Sequence, residues 1–194
     1  LKNVFRLLLF VSIIFAACAS DGNKTEVKNM PHEVNSDSTA IAETIHAFYK
    51  WYAETGDQLS QKFKFIQTNG QHANIDEAML AQYFAEFAKT GLVSAALVAD
   101  ETRFYQACAA LWKNEAAGGR LPGLDIDRYY CQNDPEISEF LTAGVNFRIR
   151  GDIAKVRLML KELGPNHGAR EYEMKKENGK WLLAKLRCNS GVKY

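Results

Sequence analysis

Apolar residues fall along this chain in three different rhythms. From Leu7 to Ala17 they are almost unbroken. That run is too short to cross a bilayer comfortably, since a spanning helix needs roughly 20 apolar residues. From Ala19 to Asp37 large apolar residues are nearly absent and no period is visible. This predicts a disordered tether over 19–37, with a root-mean-square reach of roughly 25 Å. Ile41, Ile45, Phe48 and Tyr52 then recur at spacings of four, three and four residues. Residues so spaced stack on one face of a helix. Ser38 or Thr39 can cap its start, and Gly56 can end it. Leu59 to Gln67 fits two rhythms. Phe63 and Phe65 alternate as in a strand, whereas Leu59, Phe63 and Ile66 repeat as in a helix. Asn69-Gly70 marks a turn. Asp76 to Lys89 predicts a second helix, with Leu80, Phe84 and Phe87 on one stripe and Gly91 just beyond. A third is expected from about Ser94 to Ala117, with Leu97, Phe104, Cys108 and Leu111 on its buried face.

Gly118-Gly119 and Pro122-Gly123 break the chain, and Leu124 to Glu136 has no clean period. We expect a structured loop there. The rhythm then changes to two. Val145, Phe147 and Ile149 alternate with polar residues, and so do Val156, Leu158 and Leu160 after a turn at Gly151-Asp152. The run from Gly164 to Gly168 reads as a loop. Tyr172 and Met174 alternate up to Asn178-Gly179, a strong signal for a two-residue hairpin turn. Trp181 to Cys188 closes the run. Helices first and an antiparallel meander afterwards predict an α+β domain over 38–194.

Composition changes this picture little. Apolar residues make up 47% of the 194 and aromatics 11%, ample for the core of one domain. The formal net charge is +1, so composition makes no case for a nucleic-acid partner. There is no internal repeat and no second long apolar run. Besides Cys18 there are three cysteines, Cys108, Cys131 and Cys188. In an oxidising compartment the simplest arithmetic is one disulfide and one buried thiol. Connectivity does not follow from sequence, although the place of Cys108 on an apolar helical stripe favours Cys131 with Cys188.

The apolar run near the start carries an address. Lys2 and Arg6 precede it and small residues end it, as in a secretory signal. Phe15-Ala16-Ala17-Cys18 resembles the bacterial lipobox. The resemblance implies that residues 1–18 form a lipoprotein signal and that Cys18 is lipidated and anchors the chain to a membrane. Several acyl chains make such an anchor durable. Ala19 in place of Asp favours the outer membrane, facing the periplasm, by analogy with sorting in enteric bacteria.

Together, FYKWY in the first helix, the D-x-D…N-D-P loop and the closing E-N-G-K-W…C hairpin resemble a group of bacterial lipoproteins. These carry the domain of unknown function 3828, and the likeness covers Thr39 to Cys188. It implies a nuclear transport factor 2-like cone, with helices packed on a curved antiparallel sheet. It also implies a pocket at the wide end, usable as an enzyme site, a ligand site or part of a protein interface. That family has no established catalytic residue set, so none is carried over.

The acidic cluster Asp125, Asp127, Asn133, Asp134 and Glu136 spans twelve residues with acids at the first, third and last, as in a calcium loop. Tyr130 stands where that loop needs glycine, so turn and capping chemistry is the better expectation. If the loop lies at a pocket mouth, Asp125, Asp127 and Tyr129 are candidate ligand contacts. His46 could serve as a general base in a pocket, or sit as a satisfied helix residue. Tyr49 belongs to the aromatic run Phe48, Tyr49, Trp51 and Tyr52, which must face the core in part and can line a pocket with the rest. The lysines at 175, 176, 180 and 185, with Arg187, read as a solvated sheet face that could also lie against anionic headgroups. No HxxxH, HExxH, CxxC, GxSxG or Walker spacing occurs, so no metal, cofactor or catalytic set is assigned. The expected role is a membrane-tethered module that binds a small ligand or an envelope protein. The alternative is a small pocket enzyme using acid–base residues.

Overall fold

In a computed structural model, the described residues are 33–68, 71–115, 119, 121–161, 169–188 and 191–194. The signal, Cys18, the tether up to His32, the Asn69-Gly70 turn and the loop with His167 lie outside them. The helices are α1 (Glu33–Lys62), α2 (Glu77–Lys89), α3 (Ala95–Trp112) and α4 (Ile137–Thr142). The strands are β1 (Ile66–Gln67), β2 (Asn74–Ile75), β3 (Gly144–Arg150), β4 (Ile153–Met159), β5 (Ala169–Glu177) and β6 (Lys180–Arg187). The fold is α+β, with the main helices preceding a four-stranded antiparallel meander of order β3-β4-β5-β6.

Helix α1 overruns both of its expected ends. It begins at Glu33, inside the stretch read as tether, because Asp37 has distant partners. The Asp37 carboxylate accepts from Lys176 Nζ at 2.8 Å and Trp181 Nε1 at 2.9 Å. It also passes through Gly56 and stops at Lys62. Gly56 lies inside the helix, at a place where a Cβ would lie 2.8 Å from the ring of Tyr52. The ambiguous stretch Leu59 to Gln67 is thus both things in turn, helix to Lys62 and strand at Ile66–Gln67.

Helices α2 and α3 begin where the periodicity places them, each capped by the side chain just before it. Asp76 accepts from the Met79 N–H at 3.0 Å, and Ser94 from the Leu97 N–H at 3.3 Å. Each such cap stabilises by about 1 kcal/mol. α3 stops at Trp112, short of Ala117, and Trp112 is fully buried where Leu111 is 42% exposed. Four residues beyond Cys108 keep the stripe better than three, and the Trp112 indole donates to the Pro122 carbonyl at 2.9 Å. Short α4 was not expected, since it buries only Phe140 and shows no period.

One face of the sheet carries Val156, Leu158, Tyr172, Met174, Trp181 and Leu183, all buried against the helices. Helices α1 and α3 both contact β6. The Leu92–Ser94 segment pairs with Leu183, sealing that edge of the sheet. The core formed by the described residues lies within the compact unit Pro31–Tyr194. Each large apolar side chain there contributes roughly 1.5–3 kcal/mol.

The other face of the sheet is polar. Register sets two rows across it, Asn146–Arg157–Glu171–Arg187 and Arg148–Lys155–Glu173–Lys185. A register shift between Glu173 and Met174 interrupts the pairing of β5 with β6, and such bulges bend a sheet. Lys176 does not belong to this face as the sequence suggested. It sits at the inward parity of β5 and turns to Asp37.

Candidate functional site

The loop from Leu124 to Glu136 is organised by Asp127. Its Oδ1 accepts from the backbone N–H groups of Tyr129 and Tyr130, each at 2.8 Å. Its Oδ2 accepts from the Tyr52 hydroxyl at 2.9 Å. Its carbonyl accepts from the Cys131 N–H at 2.7 Å. This is turn chemistry, a carboxylate binding nearby backbone donors. Cys131 sits at φ 60°, a left-handed conformation that costs a residue with a side chain roughly 1–2 kcal/mol. The turn is held there from outside. Arg170 donates to the carbonyls of Tyr130 and Cys131 and to the Gln132 side chain at 2.9 Å. A disulfide joins Cys131 to Cys188 with the Cα atoms 5.6 Å apart, and Cys108 is the buried free thiol.

The same loop supplies one half of a buried ion pair. Arg128 grips Glu101 with two hydrogen bonds of 2.9 and 2.8 Å, and its plane lies 4.1 Å from the Phe104 ring centroid. Burial pushes the Glu101 carboxyl up from its ordinary range, and the guanidinium beside it opposes that rise. Burial acts against the Arg128 charge as well, but Glu101 more than offsets it and the guanidinium stays charged.

The other expected contacts take their places around this loop. Tyr49 is fully buried, and its hydroxyl donates to the Tyr129 carbonyl at 2.9 Å and meets the Tyr172 hydroxyl. Rings of Phe140, Tyr130 and Tyr172 pack around it, so side chains fill the space between α1 and the sheet. Tyr129 is buried too. Its hydroxyl makes no hydrogen bond of ordinary geometry, although it interacts with Tyr83. His46 is half-buried, and its Nε2 lies 3.0 Å from the Ala143 carbonyl, tying α1 to the end of α4. Asp125 is half-buried and engaged within the protein. Of the five expected ligand contacts, the structure brings Tyr49 and Tyr129 together in the core and puts Asp127 on a cavity wall.

That cavity, of about 330 Å³, is lined by Tyr52, Tyr83, Tyr105, Phe65, Asp127 and Arg128, among others. Burial pushes the phenols of Tyr52, Tyr83 and Tyr105 up from their ordinary value, with Asp127 adding to the rise. They remain neutral hydroxyls at any physiological pH. The cavity can offer hydrogen bonds and aromatic walls, but no phenolate. Among the described residues no three His, Cys, Asp or Glu side chains converge to hold a metal.

A larger concavity, of about 520 Å³, lies on the polar face of the sheet. Asn146, Arg148, Lys155, Arg157, Glu171 and Arg187 line it from all four strands. All six are exposed. Arg157 and Glu171 form an ion pair at 3.2 Å. Arg148, Lys155 and Arg187 form no ion pair among the described residues. This groove combines available charge with concave shape, and we take it as the candidate site. Sequence reasoning found Arg187 but missed Arg148, Lys155 and Arg157. The signal was in the polar half of the alternation. Arg148 sits between Phe147 and Ile149, and Lys155 and Arg157 flank Val156.

Among the described residues no helix is long and apolar enough to cross a membrane. No protein-family model, curated protein or solved structure matches the chain.

Proposed function

We propose that this chain is a lipid-anchored module of the bacterial envelope that binds a ligand or protein partner on the open face of its sheet. Cys18 is the anchor in this reading, the residues that follow it are a tether, and the outer membrane facing the periplasm is the location. The domain is then a nuclear transport factor 2-like cone akin to the domain of unknown function 3828. The observation that carries the binding role is the groove, where three cations from three strands line a concave surface and form no ion pair among the described residues. The Cys131–Cys188 disulfide supports export, because such bonds persist in oxidising compartments. An acid–base enzyme would draw on His46 or Asp127; His46 Nε2 is held against the Ala143 carbonyl, and both carboxylate oxygens of Asp127 hold the fold.

Native mass spectrometry of the protein, exported to a periplasm and purified gently, tests this. A discrete excess mass is expected, lost on denaturation and absent from a variant with Arg148→Gln and Arg187→Gln. An adduct that this variant keeps would move the site elsewhere.

A further inference from the structure

We infer that Arg148 and Lys155 form a phosphate site, and that the groove takes a ligand with two phosphate groups, the second held by Arg187. This names the ligand class for the binding role proposed above and rests on it. Arg148 and Lys155 stand directly opposite one another on β3 and β4. Like charges so placed repel and destabilise an antiparallel pair. The neighbouring row shows the ordinary solution, since Arg157 opposes Glu171 and pairs with it at 3.2 Å. Glu173 opposes Lys155 from β5 but forms no ion pair with it among the described residues. An oxyanion seated between Arg148 and Lys155 relieves the repulsion. The arginine supplies two parallel N–H donors and the lysine a compact charge. A phosphate monoester carries between one and two negative charges near neutral pH, which suits two facing cations better than a carboxylate does.

Arg187 lies on the far strand of the sheet, three strand spacings from β3, or about 14 Å at roughly 4.8 Å each. At that spacing each end can hold a phosphate of its own. Glu171, directly opposite Arg187 on β5 and already paired to Arg157, repels a continuous run of anions. The complementary ligand therefore carries two phosphates on a linker whose hydroxyl groups can donate to Glu171. Soluble sugar bisphosphates and the headgroup of diphosphatidylglycerol share this chemistry.

The test uses the unit Pro31–Tyr194, which holds the core formed by the described residues. The probes are inorganic phosphate, a hexose 1,6-bisphosphate, and phosphatidylcholine vesicles with and without diphosphatidylglycerol. Amide shifts in NMR titrations and vesicle co-sedimentation are the readouts. The bisphosphate is expected to bind at least about tenfold more tightly than phosphate, with shifts on β3, β4 and β6. Arg148→Gln or Lys155→Gln should each weaken it by about tenfold. Arg150→Gln, on the same strand but outside the groove, should not. Binding only to vesicles that contain diphosphatidylglycerol, lost in Arg148→Gln, supports the same chemistry with a membrane source. Equal binding of phosphate and bisphosphate overturns the two-point ligand, and equal losses in Arg148→Gln and Arg150→Gln overturn a built site. Removing Arg148 also removes the repulsion, so the ligand-free variant should melt above the parent; a lower melting point overturns the strained pair. Three silent probes beside a native adduct without phosphorus would sink the phosphate site and leave the binding role standing. Silent probes and a bare native mass would sink both.

Discussion

A Cβ added at Gly56 would lie 2.8 Å from Tyr52 Cε2, in the middle of α1. Replacing a helix-interior glycine with alanine ordinarily stabilises by about 1 kcal/mol. Here the ring cannot swing aside. It stacks on Phe48, lies 4.6 Å from the Tyr129 ring centroid, and is tied through its hydroxyl to Asp127. Overpacking of this kind costs about 1–3 kcal/mol. Gly56→Ala is therefore expected to destabilise by about 1 kcal/mol net in urea unfolding; a stabilised variant would mean the ring is free to move. The sequence showed the glycine but not the ring above it, which is why it read as a helix end. Asp127 is the converse, since its role in the turn was expected from residue type alone. Asp127→Ala removes the acceptor for two backbone N–H groups and one phenol. It should cost about 2–4 kcal/mol. Asp127→Asn should recover part of this, because the amide oxygen can still accept. If both variants melt with the parent, the loop is held by Arg170 and the disulfide without Asp127.

Elements were legible where their pattern is local. The β3–β6 meander follows from alternation and the Asn178-Gly179 turn, whose residues have φ 50° and 78°. The starts of α2 and α3 were legible from periodicity, and the structure shows Asp76 and Ser94 capping them. The start of α1 was not legible, because the partner of Asp37 lies 139 residues away. The groove was half legible, since alternation marks its residues as outward while register alone makes Arg148 face Lys155. The contact of Asp37 with Lys176 and Trp181 makes a pH prediction. Hydrogen bonds from Lys176 and then Trp181 hold the Asp37 carboxyl below its ordinary value of 3.8. A depressed carboxyl stabilises the fold above the unfolded value, and that contribution disappears as pH falls through the folded one. Asp37→Asn should cost about 1 kcal/mol at neutral pH. The gap between variant and parent should close as pH falls below 3.8 and through the lower folded-state value. Thermal melts at several pH values check this, and a gap that persists in acid would show that the carboxylate charge is irrelevant to α1 docking.

Across the whole molecule, the loop around Asp127 is where helices and sheet are fastened together. Arg170 clamps it to β5, the disulfide ties it to the residue after β6, and Arg128 links it to α3 through Glu101. The disulfide spans 57 residues of chain, and closing such a loop stabilises by about 4 kcal/mol in the chain-entropy model. Cys131→Ala with Cys188→Ala should lose much of that in denaturant unfolding. A loss near zero would show that Arg170 and Arg128 fix the loop unaided. The ion pair makes the sharper test, because its two halves are not equivalent. Glu101 is fully buried and Arg128 is 5% exposed. Arg128→Met leaves the carboxylate buried without its partner, at a cost of about 3–5 kcal/mol. Burial already pushes the Glu101 carboxyl up, and losing the guanidinium removes what opposes that rise. A carboxyl raised in the folded state adds stability below its unfolded value and loses it as pH climbs through the folded one. The deficit of Arg128→Met should therefore shrink as pH falls from neutral toward 4.5, the ordinary value for a glutamate. Glu101→Gln in the same background should remove that pH dependence. Urea unfolding of the parent and both variants across this range checks the prediction. A deficit independent of pH would mean that the lost packing of Arg128 on Phe104, not the stranded charge, sets the cost.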